Sequence, residues 1–180
     1  MTRIVLFYGI IAGLVVAVPM VWLMMTLTQE TAPENGALYG YLTMIVALTA
    51  VFLGIKRYRD KALGGVIKFV PALMVGLGIS AVASLVYVVG WEISLAFSGF
   101  DFAEVYSQMM VDAARADGAS ETELQKVIAD AEGFTKLYAN PLFRAAITFI
   151  EMFPIGILIS LISAAVLRNS RFLPARGAAA

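Results

Sequence analysis

Apolar residues fall into four long runs separated by polar connections. The runs span Ile4–Leu27, Leu38–Ile55, Phe69–Phe97 and Leu142–Leu167. Each has about the length that a helix rising ~1.5 Å per residue needs to cross a hydrocarbon core of ~30 Å. The pattern therefore predicts four transmembrane helices, at about 4–27, 38–55, 69–97 and 142–167, in a single membrane domain that covers residues 1–180. The first run exceeds the core of a signal peptide, so we expect it to be a retained helix.

The polar connection before the fourth run carries its own helical pattern. Asp101 with Glu104, and Ser120 with Glu123, have capping-box spacing, and Gly118 separates the two segments. Apolar residues follow each cap at helical spacing. They are Phe102, Val105, Tyr106, Met109, Met110 and Ala113 in the first segment, and Leu124, Val127, Ile128, Ala131, Phe134, Leu137 and Tyr138 in the second. We predict an amphipathic helical hairpin at about 101–138.

The apolar faces of this hairpin need a covering surface, because isolated helices of this length are marginal in water. The two helices could pack on each other and on the bundle, with Met109, Val127 and Phe134 shielded. A second copy, an extracytoplasmic protein partner or the lipid surface are the other options. Eight acids against three bases in the connection argue against attraction to anionic lipid.

Charge asymmetry predicts the orientation. Nine of the thirteen basic residues lie in the N-terminus, in the segment 56–68 or after Leu167, whereas the other two connections hold ten acids and three bases. Basic residues near helix ends stay in the cytoplasm. The predicted fold is thus an all-α integral membrane protein with both termini cytoplasmic. Its hairpin lies between the third and fourth helices on the extracytoplasmic side.

Composition narrows the chemistry. Hydrophobic residues make up 61% of the chain and charged residues only 14%, against about a quarter charged in soluble domains. The chain has no Cys and no His, which excludes thiol catalysis and Cys-ligated metals. Nucleotide, zinc-protease and serine-hydrolase motifs are absent. We expect no enzyme activity, no cofactor and no nucleic-acid partner; the lipid bilayer is the expected surrounding.

Small residues recur four apart in three of the runs. They pair as Gly9 with Gly13, Gly76 with Ser80, and Gly156 with Ser160. Such stripes let helix backbones approach closely. They predict helix-packing faces, either within the bundle or in a homo-oligomer.

Charged residues within the apolar runs form a candidate intramembrane polar site. Glu92 lies near the outer end of the third run, Arg144 opens the fourth, and Glu151 lies near its middle. Ionisable groups in hydrocarbon are costly and suggest function. We predict that Arg144 pairs with Glu92. Pro154 lacks an N–H and frees the carbonyl of the residue four before it, close to Glu151.

Three stretches carry a resemblance to a known family. They are GIKRYRDKALGGVIKF, GLGISAVASLVYVVGWEI, and YANPLFRAAITFIEMFPIGILISLISAAVLR at the end of the hairpin and in the fourth run. The chain resembles the bacterial membrane family catalogued as domain of unknown function 4199. The resemblance implies a four-helix architecture and a bacterial inner membrane, and it implies no activity or site residues.

Three functions are compatible with these patterns. The first is a polytopic, non-enzymatic bacterial inner-membrane protein that oligomerises or binds a partner through the outer hairpin. The second is a small proton- or cation-coupled transporter or channel that uses Glu151 and Glu92. The third is an enzyme acting on lipid, which is the least supported because the sequence contains no recognisable set of catalytic residues.

Overall fold

The computed structural model describes residues 1–26, 36–99 and 101–175 of the chain. Within these residues the chain forms six helices and no strand. The helices are α1 (Thr2–Thr26), α2 (Gly36–Ala62), α3 (Phe69–Ser98), α4 (Phe102–Ala116), α5 (Glu121–Tyr138) and α6 (Pro141–Leu167). Leu27, where the first apolar run ends, lies outside the described residues, as does most of the first polar connection.

Four of the six helices are long and apolar enough to cross a membrane. They are α1, α2, α3 and α6, with mean hydropathies of 2.6, 2.0, 2.2 and 2.2. Large apolar side chains cover their outward faces; Val18 is 60% exposed and Ile162 is 64% exposed. Such a surface suits lipid rather than water. The protein is therefore built as a membrane protein around these four helices.

The second helix is longer than its apolar run. It continues past Ile55 to Ala62, about two further turns. The basic residues at the start of the 56–68 segment are therefore helical, and only the following residues form the turn. Gly64 and Gly65 make that turn with positive φ angles of 64° and 94°, which glycine adopts without a steric penalty.

Helix α3 is the centre of the bundle. It packs along α1 on one side and α6 on the other, while α2 contacts all three. Chain direction alternates, so α1 and α3 are parallel whereas α3 and α6 are antiparallel. The core contains Leu48, Val51, Ile55, Val75, Ile79 and Met152, each fully buried.

Small residues set the α1–α3 contact. A Cβ atom added to Gly9 would lie 2.6 Å from Cβ of Val82, and one added to Gly13 would overlap the side chain of Val86. Further along, a Cβ atom on Gly90 would lie 2.6 Å from that of Ala17. The helices α1 and α3 can approach this closely only because Gly9, Gly13 and Gly90 have no side chain.

The α3–α6 contact is reciprocal. A Cβ atom on Gly76 would lie 2.7 Å from Oγ of Ser160, and one on Gly156 would lie 2.5 Å from Cβ of Ser80. The two serine hydroxyls lie 3.3 Å apart. Each Gly-x-x-x-Ser stripe thus packs against the other. All six small residues predicted as packing faces are used within one chain.

The hairpin of α4 and α5 packs mainly on itself. Asp101 accepts a hydrogen bond from the Glu104 amide, and Ser120 with Glu123 forms a complete capping box. Ser107 Oγ lies 2.9 Å from Thr135 Oγ1 across the pair. The expected shielding of Met109 is wrong, since it is 63% exposed. Two helices alone offer too little surface to cover both apolar faces.

Candidate functional site: the polar α3–α6 seam

One guanidinium joins α3 to α6 near the hairpin. Arg144 donates from Nε to Oε1 of Glu92 at 2.7 Å and from Nη2 to Oε2 at 2.6 Å. This is the pairing that the sequence predicts. Both side chains are only partly exposed, at 18% and 34%. Two parallel N–H···O bonds fix the orientation of both groups as well as joining their charges.

The same arginine fastens the base of the hairpin. Its Nη1 donates to the carbonyl oxygen of Tyr138, the last residue of α5, at 3.2 Å. Its guanidinium carbon lies 5.7 Å from the centre of the Tyr138 ring. Trp91 of α3 donates from Nε1 to the Tyr138 hydroxyl at 2.6 Å. Arg144 and Trp91 therefore hold Tyr138 from two sides.

Burial of Tyr138 has an electrostatic consequence. Tyr138 is 6% exposed. Loss of hydration is the largest influence on its hydroxyl and raises the pKa of that group to about 12. A phenol in such a place disfavours its anionic form. The hydroxyl therefore keeps its hydrogen at physiological pH and is available as a donor.

Glu151 lies apart from the Arg144–Glu92 pair. It follows Arg144 by seven residues, about two helical turns. Its Oε2 accepts a hydrogen bond of 3.2 Å from the hydroxyl of Tyr87. Tyr87 is 6% exposed, but Glu151 itself is exposed on the surface of α6. Its carboxyl thus lies at the edge of the α3–α6 seam, on the exposed side of α6.

Pro154 does not interrupt α6, which runs unbroken from Pro141 to Leu167. Proline has no N–H, so the carbonyl of Ile150 has no helical donor from that position. Ile150 is 64% exposed. The freed carbonyl and the Glu151 carboxyl therefore belong to neighbouring positions near the outer surface of the helix.

Hydroxyl groups continue the seam away from the hairpin. Thr148 donates to the carbonyl of Arg144, and Ser80 and Ser160 each donate to the carbonyl four residues earlier. Ser84 is fully buried, and its hydroxyl oxygen is the one buried side-chain nitrogen or oxygen of the described residues that has no hydrogen-bond partner. Helical spacing puts Ser84 between Ser80 and Tyr87 on the α6-facing stripe of α3.

A fully buried arginine was missed by sequence reasoning. Arg59, at the far end of α2, is 0% exposed. It donates from Nε to Asp60 at 2.7 Å, from Nη1 to the carbonyls of Leu167 at 3.4 Å and Phe172 at 3.0 Å, and from Nη2 to the carbonyl of Leu173. It therefore caps the end of α6, where free carbonyls attract a cation. Lys56 and Lys61 in the same segment have the same charge, so no local sequence signal distinguished Arg59 from them.

The described residues bring no three Asp or Glu side chains together in a group that could hold a metal ion. The seam instead offers one bidentate ion pair, one carboxyl bonded to a phenol and a row of hydroxyls. Such groups can hold a polar headgroup or pass a proton. They do not form a nucleophile–base pair with an orienting third group.

Comparison with known proteins identifies a family. Residues 7–169 match the family model described as "Protein of unknown function (DUF4199)". No curated protein and no solved structure matches the chain. The family match spans α6 and most of α1, together with every helix between them. The chain therefore belongs to this family of unknown function, as the three stretches that resemble it imply.

Proposed function

We propose that the protein is a non-enzymatic membrane protein of the bacterial inner membrane that binds a second copy or an extracytoplasmic protein through the α4–α5 hairpin. The exposure of the hairpin is the observation that supports this. Within α4 and α5 only Ala103, Ala131 and Tyr138 are buried. Met109 and Leu137 remain 63% and 54% exposed.

The contacts of the hairpin also support this binding function. The two helices contact each other extensively, and α5 reaches the bundle where it meets α6. The base is fixed by aromatic rings, with Phe102 edge-on to Trp91 at 5.0 Å and tilted against Tyr138 at 5.4 Å. The hairpin is thus anchored at one end only. A second surface laid on it would bury apolar area that two short helices leave uncovered.

Orientation is part of the proposal. The basic residues at the ends of α2 and α6 favour a cytoplasmic location for that end of the bundle and for both termini. Cysteine introduced at Asp117 should react with an impermeant thiol reagent outside the cell, and cysteine at Lys61 should not. Both positions are exposed, Asp117 at the end of α4 and Lys61 at the end of α2. Arg59 is unsuitable for this test, because its burial would block labelling from either side. Labelling at position 61 in intact cells would contradict this orientation and indicate the opposite one.

Co-purification tests the binding function. Two differently tagged copies are expressed together and extracted in mild detergent, and a photo-crosslinking residue at position 137, where Leu137 is exposed on the hairpin, is activated in intact membranes. We expect either co-purification of the two copies or one discrete crosslinked adduct. Met109→Glu should abolish it, because a charge in the contact must be desolvated. Thr122→Glu is the matched control, adding the same charge at an exposed site in the first turn of α5. No association and no adduct in the wild type would contradict the proposal.

A proton- or cation-coupled transporter or channel is the second candidate. The Tyr87–Glu151 hydrogen bond beside the unpartnered Ser84 hydroxyl favours it. Transport would require Glu151 to exchange its proton or a cation. In proteoliposomes with a pH-sensitive dye, Glu151→Gln should then keep the fold and abolish flux, with Glu92→Gln tested beside it. Absence of flux in the wild type would favour the binding function, and flux that survives Glu151→Gln would exclude a role for this residue.

A further inference from the structure

A pocket of about 440 Å³ lies where the hairpin joins the bundle. The end of α3, the start of α4, the end of α5 and the start of α6 surround it. Its lining includes Leu95, Asp101, Phe102, Thr135, Tyr138 and Arg144. Neither the hairpin's exposed face nor the Glu151 region takes part in it. The pocket is therefore a separate feature of the molecule.

Arg144 brings unused donors to this pocket. A guanidinium has five N–H groups, and Arg144 uses three of them, two on Glu92 and one on the Tyr138 carbonyl. One N–H on each terminal nitrogen remains. Two such donors in fixed geometry match the oxygens of a phosphate.

Tyr138 adds a third donor. Its hydroxyl oxygen accepts from Trp91, and within the described part of the chain no acceptor takes its own hydrogen. Burial keeps this hydroxyl protonated. Because Tyr138 and Arg144 line the same pocket and contact each other, their free hydrogens can converge on one acceptor.

Charge balance selects the kind of phosphate. The carboxylate of Glu92 neutralises Arg144, and Asp101 adds a negative charge at the pocket wall. An acceptor with a net negative charge gains little there. A phosphate that carries its own cation fits better, with the cation directed toward Asp101.

The surroundings of the pocket indicate a lipid. Phe97 and Leu142, on the adjoining turns of α3 and α6, are 75% and 81% exposed. Trp91 marks the depth at which indole rings favour the membrane–water interface. A headgroup in the pocket would leave its acyl chains beside these apolar side chains.

We propose that this pocket binds the headgroup of a zwitterionic aminophospholipid, with the phosphate on Arg144 and Tyr138 and the ammonium at Asp101. The site is independent of any partner of the hairpin. A lipid bound there would brace the junction of α3, α5 and α6, and would tie the hairpin to the membrane surface.

Lipid titration of the purified, delipidated protein tests this, read by native mass spectrometry. Phosphatidylethanolamine is compared with phosphatidylglycerol and with soluble glycerophosphoethanolamine. We expect one phosphatidylethanolamine per chain, bound more tightly than phosphatidylglycerol. Tyr138→Phe should weaken it about tenfold, since a hydrogen bond to a charged group is lost. Asp101→Asn should weaken it and reduce the preference for phosphatidylethanolamine, while Asn still caps α4. Arg168→Gln, an exposed cation at the opposite end of α6, should change nothing.

Each other outcome overturns part or all of the proposal. If neither Asp101→Asn nor Tyr138→Phe changed the affinity for phosphatidylethanolamine, the proposed site would be excluded. Equal binding of phosphatidylglycerol, unaffected by Asp101→Asn, would overturn the zwitterionic preference. Competition by glycerophosphoethanolamine at the same concentrations would identify a site for soluble phosphates instead. If Tyr138→Phe fails to fold, Asp101→Asn decides alone, because Asp101 is exposed and Asn keeps its capping role.

Discussion

Arg144 holds both carboxylate oxygens of Glu92 across the α3–α6 contact, at 2.6 and 2.7 Å. Among the polar contacts between α3 and α6, this pair is the one nearest the hairpin. Removing one partner leaves the other charge partly buried and unpaired, which costs more than removing both. We therefore expect Arg144→Gln and Glu92→Gln each to destabilise the protein, and the double variant to cost less than their sum.

Thermal unfolding in detergent measures this coupling in a double-mutant cycle. A coupling free energy of about 0.5–3 kcal/mol is expected for charges in direct contact. Strict additivity of the two single effects would show that the pair contributes nothing to stability.

The buried Arg59 should be irreplaceable by another cation. Lysine keeps the charge but cannot reach Asp60 and three carbonyls in the same fork geometry. We expect Arg59→Lys to lower the free energy of unfolding by about 1.5–3 kcal/mol, the cost of losing hydrogen bonds to a charged group. Arg57→Lys is the matched control, since Arg57 is exposed two residues earlier. Equal stability of the two variants would mean that the α6 cap is dispensable.

The glycine at the α3–α6 crossing gives a steric prediction. Gly156→Ala would place a methyl group 2.5 Å from Cβ of Ser80, so the helices must separate. Overpacking of this kind costs about 1–3 kcal/mol. Gly40→Ala, also in a helix but with its methyl group entering open space, should instead stabilise by about 0.5–1 kcal/mol. Both changes are read from the same unfolding curves, and a neutral Gly156→Ala would show that the contact is loose.

The capping box of α5 predicts a pH dependence. Hydrogen bonds from the Ser120 side chain and then from its backbone N–H stabilise the carboxylate and lower the pKa of Glu123. A group whose pKa is lower in the folded state contributes stability above its unfolded pKa. It loses that contribution as the pH falls through the folded value. Protection of the first α5 amides should therefore decline in acid, below the ordinary range of a glutamate pKa.

Carbon-13 titration of the Glu123 carboxyl checks this directly. Ser120→Ala removes the side-chain donor and should move the midpoint upward, toward an ordinary glutamate. An identical midpoint in both proteins would exclude the hydrogen bond as its cause.

Local patterns in the sequence were sufficient for much of this structure. The four apolar helices follow from run length, and both hairpin caps follow from Asp101 and Ser120 with a glutamate three residues later. These features depend on residues within one or two helical turns, where helix geometry alone fixes which side chains are neighbours.

Other features required the tertiary structure. Arg59 is one cation among five in 56–68, and only the return of the chain after α6, more than a hundred residues later, makes it the buried one. Met109 belongs to the apolar stripe of α4, yet the hairpin contacts the bundle only at its base and leaves this residue exposed.

The sequence by itself determined the helices, the two caps of the hairpin and the stripes of small residues. The tertiary structure decided which surfaces those stripes meet, which arginine is buried and how Arg144, Tyr138 and Asp101 come to line one pocket. The physical reason is that burial and hydrogen bonding between distant segments depend on how whole helices pack. A periodic pattern names the face of a helix but not the partner of that face.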